Sequence, residues 1–520
     1  MKSPRLAAIL LLIAAGALAL RLPRLDERPM HADESVHAVR FRDLWQQGKY
    51  AYDPNEFHGP TLVYATLPAA WLGRAATFAE TSEATYRLVP VLFGTGVVVL
   101  LLLLGDALGK PAAVVAGIFT AVSPAMVYYS RYYIHEMLLV FFTLAAIAAG
   151  WRYFRSGRLG WCLAAGVCLG LMQATKETSV LVYFALASAL VPAALWTRLV
   201  EPGLRPARPR LRAWHFVLGL AMAATVAVIL YSSFFSNPRG PLDAALTYLP
   251  WLGRAGGASP HMHPWYEYLH RLGYWRLGNG PRWSEGLILV LAVCGSAFAL
   301  RPKIGTAVGA SLPFLRWLTC YTLILTAVYS VIPYKTPWCA LGFLHGMILL
   351  AGFGAVALVR AVPTTTLKVL TALILLAATG QIAWQAQRAA YVCPADPSNP
   401  YVYAHTSAKI KSLINDVEAL AEASPAGRHV PIKVIWNDAY YWPLPWYLRR
   451  FDRIELWTRV PTDPAAPLVI AATQHDAPLT AQLDATHLMT GYYEIRPQLL
   501  AQLWVRMDLW ESHLRRLGRL

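Results

Sequence analysis

Residues 86–104 read YRLVPVLFGTGVVVLLLLL, a stretch whose one charge, Arg87, stands at its start. A helix needs about 20 apolar residues to cross the ~30 Å hydrocarbon core of a bilayer, and this run supplies them. It lacks the period-2 alternation of a barrel strand, so it predicts a membrane-spanning helix. Working outward, comparable runs recur at roughly 6–20, 111–129, 137–153, 159–174, 178–196, 213–235, 285–300, 312–332, 338–359 and 367–384. The expectation is an α-helical polytopic membrane protein with about 11 transmembrane helices over residues 1–384.

Composition agrees. Of the 520 residues 56% are hydrophobic and only 14% charged, against about 25% charged in soluble domains. The net charge of +17 suggests nucleic acid until its distribution is read. Residues 385–520 hold 14 Lys and Arg against 13 Asp and Glu, so the excess lies among the apolar segments. Cations in short loops between spans are the ordinary cytoplasmic retention signal, and no polyanionic partner is needed. With Lys2 and Arg5 inside, the cytoplasmic loops carry Lys110; Arg152, Arg155 and Arg158; Arg198, Arg205, Arg208, Arg210 and Arg212; Arg301 and Lys303; and Arg360 and Lys368, accompanied only by Asp106 and Glu201. An odd number of spans then places everything after residue 385 outside.

Two segments bear on that count. Residues 61–72 (TLVYATLPAAWL) are too short to span and read as an interfacial helix in the first outer loop, residues 21–85. Met1–Leu20 reads as a retained first span, with a cleaved signal peptide as the alternative. The tail, 385–520, alternates an amphipathic stretch near Ser407–Ala421 with β-like runs at Ile432–Trp436, Leu468–Ala472 and Gln502–Arg506, and predicts a small extracytoplasmic α/β domain. Its Trp442, Trp446 and Tyr447 read as core aromatics or as an acceptor-contacting surface. No Walker loop, dinucleotide fingerprint or heptad array is present, so ATP-driven and dinucleotide chemistry lack support. Four cysteines, Cys162, Cys168, Cys294 and Cys320, fall within spans, while pairing of Cys339 with Cys393 is chemically permitted outside.

Polar residues at membrane depth are the functional candidates. Three short outward connections break the charge rule: Ser130-Arg131-Tyr132-Tyr133-Ile134-His135-Glu136, Thr175-Lys176-Glu177-Thr178 and Pro333-Tyr334-Lys335-Thr336-Pro337-Trp338. Arg131, Lys176 and Lys335 on one membrane face suit an anionic lipid headgroup. Snorkelling beside Glu136 and Glu177 is the alternative. The first outer loop adds His31-Ala32-Asp33-Glu34-Ser35-Val36-His37 and Asp53-Pro54-Asn55-Glu56-Phe57-His58-Gly59-Pro60. A carboxylate there is ionised at neutral pH and can accept a proton, or Asp33 caps a helix running through Trp45. His31, Asp33, His37, Glu56 and His58 are also candidate metal ligands, but no HExxH, CxxC or EF-hand spacing accompanies them, so no cofactor is expected and a divalent metal stays the alternative.

In this order the residues resemble the GT-C glycosyltransferase superfamily: one span, Asp33-Glu34, His58-Gly59-Pro60-Thr61-Leu62 before an interfacial helix, Tyr129-Ser130-Arg131 opening a hairpin that ends at Glu136, and Lys176 at a later helix end. The protein O-mannosyltransferase and aminoarabinose transferase branch, glycosyltransferase family 39-like, is the nearer likeness. The nearest is the family named for association with flippase activity in archaeal N-glycosylation, whose likeness includes Tyr334-Lys335-Thr336-Pro337-Trp338 and Trp442-Pro443-Leu444-Pro445-Trp446-Tyr447-Leu448-Arg449. The resemblance implies Asp33 as catalytic base with Glu34 beside it, Arg131 on a lipid-linked phosphate, and Lys176 in a similar position. His58 matches a His-Pro-Pro-Leu motif in which Gly59 replaces the first proline. His135-Glu136 stands where relatives usually have Asp, and Glu136 then contacts acceptor or donor. The expected activity is inverting transfer of a sugar from a polyprenyl-phosphate donor to an acceptor hydroxyl outside a bacterial inner membrane, the N-terminus being cytoplasmic and the tail periplasmic. Other site candidates are His31, Glu56, His58, His135, Glu136 and Glu177. A lipid-linked oligosaccharide flippase, or a non-catalytic partner of one, is the alternative. Transporters place ionisable groups near the midplane and often carry inverted repeats, whereas these charges fall at helix ends.

Overall fold

The computed structural model describes residues 3–55, 58–201, 211–256, 261–301 and 307–520. Lys2, Glu56, Arg205, Arg208, Arg210 and Lys303 lie outside the described residues. Eight helices are long and apolar enough to cross a membrane: Pro4–Arg21, Glu83–Leu108, Glu136–Ser156, Ser179–Val200, Ala213–Tyr231, Leu312–Val331, Pro337–Ala361 and Thr365–Val392. The other three expected spans also form apolar helices, but shorter ones, Lys110–Val122, Leu159–Gln173 and Gly286–Phe298. The first of these stops early for a visible reason. Pro124 has no N–H to donate and drives the residue before it out of helical conformation. Ser123 accordingly sits at φ −56°, ψ 125°, and the chain restarts as the separate helix Pro124–Tyr129.

Packing divides the chain into two units. One comprises Met1–Pro23, Lys49–Thr66 and Arg87–Tyr403; the other comprises Arg24–Gly48, Leu67–Tyr86 and Ala404–Leu520. The first unit is the helical bundle. Its central helix, Leu341–Ala361, packs against Gly286–Phe298, Lys110–Val122, Leu312–Val331 and Glu136–Ser156. Helices in lipid gain little from apolar burial against one another, so close approach through small residues supplies the contact. A methyl group at Gly354 would stand 2.1 Å from the Leu291 carbonyl oxygen, and one at Gly295 would stand 2.2 Å from that of Leu350. Leu159–Gln173 meets Ala213–Tyr231 in the same way through Gly166 and Gly170. Loop acids are matched by neighbouring cations: Asp106 pairs with Arg152, and Glu201 lies 2.7 Å from Arg316.

The second unit is built on a five-stranded sheet: β1 (Ile432–Ile435), β2 (Ile454–Trp457), β3 (Leu468–Ala472), β4 (His487–Arg496) and β5 (Leu499–Arg506), ordered β2-β1-β3-β5-β4. Strand β1 runs parallel to β2 and β3, while β5 is antiparallel to β3 and β4. All five residues of β3 are buried, as a central strand covered on both faces requires. The amphipathic stretch of the tail forms helix Ile410–Ala423. Trp446 is a core residue, in edge contact with Phe78 and Tyr86, and its indole N–H reaches Glu83 at 3.2 Å. One permitted feature does not form. All six cysteines are free, and the Cys339 thiol instead lies 3.2 Å from the Thr336 hydroxyl.

Gly166→Ala places a methyl 2.2 Å from the Gly219 carbonyl oxygen. Backbone cannot step aside cheaply, so the expected loss is ~1–3 kcal/mol, read as a lower melting temperature in detergent. Gly150→Ala, which meets nothing within 4 Å, serves as control and leaves it unchanged or raised.

Candidate functional site

In the bundle, a short backbone bridge brings several expected residues together. His58 and Lys176 pair in antiparallel register; the Gly59 N–H donates to the Thr175 carbonyl at 3.1 Å and the Thr61 N–H to that of Ala174 at 3.0 Å. This contact accounts for glycine in the His58-Gly59-Pro60 segment. A Cβ at 59 would fall 2.0 Å from the Ala174 oxygen, and proline there would also lose the N–H that makes the bridge. Around it, His58 Nδ1 lies 3.1 Å from Glu177 Oε2, His135 Nε2 lies 3.1 Å from the Gly59 carbonyl, and the two imidazole centroids are 4.9 Å apart.

Lys176 and Glu136, both buried, form an ion pair across two hairpins. Burial, the largest single influence, pulls the Lys176 pKa down, but the charge and hydrogen bond of Glu136, with smaller contributions from Cys339 and Tyr329, together outweigh it, and the net direction is upward. Arg131 takes a different arrangement. Its Nη1 donates to the carbonyls of Arg21 at 2.5 Å and Pro23 at 2.6 Å and to the Tyr391 hydroxyl at 3.0 Å, with the guanidinium over the Tyr391 ring. Lys335 is buried beside residues 261–268: its ammonium donates to the carbonyls of Ile332 and His263. Burial lowers its pKa, opposed by the Glu267 carboxylate. Thus Lys176, Glu136, Glu177, His58 and His135 form one group, Arg131 is anchored at helix ends, and Lys335 is held between its own turn and residues 261–268. Glu56 lies outside the described residues.

Sequence reading passed over Glu285, which the bundle buries completely. Its carboxylate accepts from the Ser123 hydroxyl at 2.5 Å, the Ala125 N–H at 3.0 Å and the Tyr401 hydroxyl at 2.8 Å. The signal available was an acid placed against the first residue of an apolar run.

In the second unit, helix Ala32–Gln47 carries Asp33 and Glu34. The cap is His31 and not Asp33: His31 Nδ1 accepts the Asp33 N–H, and the Glu34 carboxylate accepts the His31 N–H at 3.0 Å, closing a capping box. Glu34 is fully buried and also paired with Arg28 at 3.2 Å. The Asp33 carboxylate is half exposed, 3.8 Å from His31 Nδ1. The His31 ring meets that of His405 at a tilt of 35°, centroids 5.5 Å apart. One of the adjacent acids therefore holds the helix start, while the carboxylate of the other stays half exposed.

A sequence model for dolichyl-phosphate-mannose-protein mannosyltransferases matches residues 66–238. No curated protein sequence matches the chain significantly. The fold is similar to that of ArnT from Cupriavidus metallidurans bound to undecaprenyl phosphate, with TM-score 0.61 and 15% identity over 95% of this chain and 97% of that one. It is also similar to the Archaeoglobus fulgidus oligosaccharyltransferase, with TM-score 0.55 and 12% identity over 91% of this chain and 70% of that one.

Removing one member of a buried ion pair strands the other. Lys176→Met is expected to cost ~3–5 kcal/mol, and adding Glu136→Gln to recover part of it. Because the Lys176 pKa is raised on folding, the pair's contribution is complete below the unfolded lysine value of about 10.4 and fades only above it. The melting-temperature gap between wild type and the double variant should therefore stay flat from ~pH 6 to ~pH 9.

Proposed function

The chain has the fold of the GT-C superfamily, and we propose from it that the protein is an integral membrane glycosyltransferase. It moves a sugar from a polyprenyl-phosphate-linked donor to an acceptor hydroxyl, outside the cytoplasm of a bacterial cell. The observation that carries this is similarity along nearly the whole chain to ArnT, whose structure holds undecaprenyl phosphate. The match of residues 66–238 to the mannosyltransferase sequence model supports it. Nucleotide sugars stay in the cytoplasm, so an outward-facing transferase needs a donor carried by the membrane. The N-terminus is cytoplasmic in this reading, and the tail lies outside.

The chemistry is a single displacement. The acceptor oxygen attacks the anomeric carbon, the bond from that carbon to the phosphate oxygen breaks, and the phosphate departs with the electron pair. Asp33 takes the acceptor's proton. Arg131 meets the charge that grows on the leaving phosphate, more strongly in the transition state than before it. The configuration inverts, and a second carboxylate acting as nucleophile is not required. Lys176 and Lys335, engaged by Glu136 and by carbonyls, support the surrounding loops. Among the adjacent acids, Asp33 suits proton transfer because Glu34 is committed to the capping box and Arg28. The reaction as written uses no metal, so a chelator should leave the rate unchanged.

Purified Asp33→Asn and Arg131→Ala proteins in nanodiscs are expected to lose ~10²-fold or more of the transfer rate from undecaprenyl-phosphate sugars while melting within a few degrees of wild type. Full activity of a folded Asp33→Asn protein removes Asp33 as base. Lipid translocation in vesicles that survives the same substitution favours the flippase reading instead.

A further inference from the structure

Glu285 has no part in the displacement just described, yet it is among the best-satisfied buried acids of the bundle. A carboxylate is an acceptor only, and burying one is costly unless donors meet both oxygens. Here three do, and two of them come from one short segment. Pro124 has no N–H, so the first free donors of helix Pro124–Tyr129 belong to Ala125 and Met126; Glu285 takes the first, and Ser123 Oγ takes the second at 3.4 Å. The far end of the same helix is held through Tyr401, whose hydroxyl donates to Glu285 while its carbonyl accepts the Tyr129 hydroxyl at 2.9 Å. The chain continues at once into Ser130, whose Oγ accepts Arg21 Nε at 3.1 Å, and then Arg131.

We propose that Glu285 is a positioning residue that fixes the Ser123–Arg131 segment, and through it the Arg131 guanidinium, for a lipid-linked phosphate. The proposal rests on the role given to Arg131 above. Gln at 285 can still accept from Ala125 and Tyr401 but turns donors toward Ser123, which must then accept. Ala removes every contact.

The test measures undecaprenyl phosphate binding to the full chain in nanodiscs, by native mass spectrometry, for wild type, Arg131→Ala, Glu285→Ala, Glu285→Gln and the Arg131→Ala/Glu285→Ala double variant. Arg131→Ala should weaken binding about tenfold, Glu285→Ala nearly as much, and Glu285→Gln should recover most of the loss. The double variant should bind no more weakly than Arg131→Ala, because Glu285 acts through that side chain. Wild-type affinity in Glu285→Ala beside a weak Arg131→Ala overturns this proposal and leaves the function standing, as do losses that multiply in the double variant. Wild-type affinity in Arg131→Ala overturns the phosphate role itself and this proposal with it. Should Glu285→Ala fail to fold, Tyr401→Phe, which removes one donor and half the clamp, carries the same comparison.

A separate observation carries a second inference. The Tyr321 hydroxyl and His345 Nε2 are buried without a hydrogen-bond partner among the described residues. Both line a cavity between helices Leu312–Val331, Leu341–Ala361 and Glu136–Ser156, whose wall also includes Thr143, Gly342 and Gly346. The cavity offers about 10 Å³ for the centre of a water molecule, which is room for one. An orphaned polar group costs more in a bilayer interior than anywhere else in a protein. The geometry points to one bound water that accepts from Tyr321 and donates to His345. High-resolution cryo-electron microscopy of the full chain should show density within ~3 Å of both atoms. The melting losses of Tyr321→Phe and His345→Phe should sum to more than the loss of the pair, since either empties the site. A dry cavity with both side chains resolved, or additive losses, overturns it.

Discussion

Helix ends that stop in buried surroundings must still satisfy their last carbonyls, and this requirement governs the end of the bundle where the candidate residues lie. The carbonyls of Thr120 and Ala121, at the end of Lys110–Val122, accept from Arg21 at 2.9 and 2.8 Å. Arg21 is itself the last residue of Pro4–Arg21, and its carbonyl accepts from Arg131. Each guanidinium thereby sits against the negative end of a helix dipole. Lys176 is met instead by a full carboxylate, that of Glu136. Arg131 is held firmly, through the carbonyls of Arg21 and Pro23 and the Tyr391 hydroxyl, at the end of the first helix.

Much of the fold was legible because bilayer crossing imposes length and apolarity directly on sequence. Eight of the expected spans are helices long and apolar enough to cross, and the other three coincide with shorter apolar helices. What the apolar count missed was interruption. Residues 111–129 are uniformly apolar, yet Ser123-Pro124 divides them, and the Pro rule would have found the break. In the tail, β1, β3 and β5 announced themselves as dense apolar runs. Strand β2 is largely exposed, and β4 is an edge strand carrying Gly491 and register shifts, so neither needed a hydrophobic face that sequence could reveal.

The candidate residues were legible as types and not as arrangements. The snorkelling alternative set Glu136 and Glu177 near the cations without saying which acid meets which: Lys176 pairs with Glu136 of another hairpin, and its neighbour Glu177 meets His58. That His31 caps the helix instead of Asp33, with Glu34 closing the box, depends on which way one turn of backbone starts. Gly59 looked like a departure from a motif and proves to be a steric necessity of the contact with Ala174. Glu285 escaped because its partners, Ser123 and Tyr401, are each more than a hundred residues away in sequence.

The second packing unit draws on three separated pieces of chain. Met30 donates its N–H to the Tyr447 hydroxyl, 417 positions further on, and the Met30 carbonyl accepts from Thr406. During biogenesis the early pieces emerge long before the tail exists, and they wait, incompletely folded, until nearly the entire polypeptide has been synthesised. The tail expressed by itself would lack the segments that cover Trp446, so excision at residue 404 yields a fragment with a bared core and not an autonomous module.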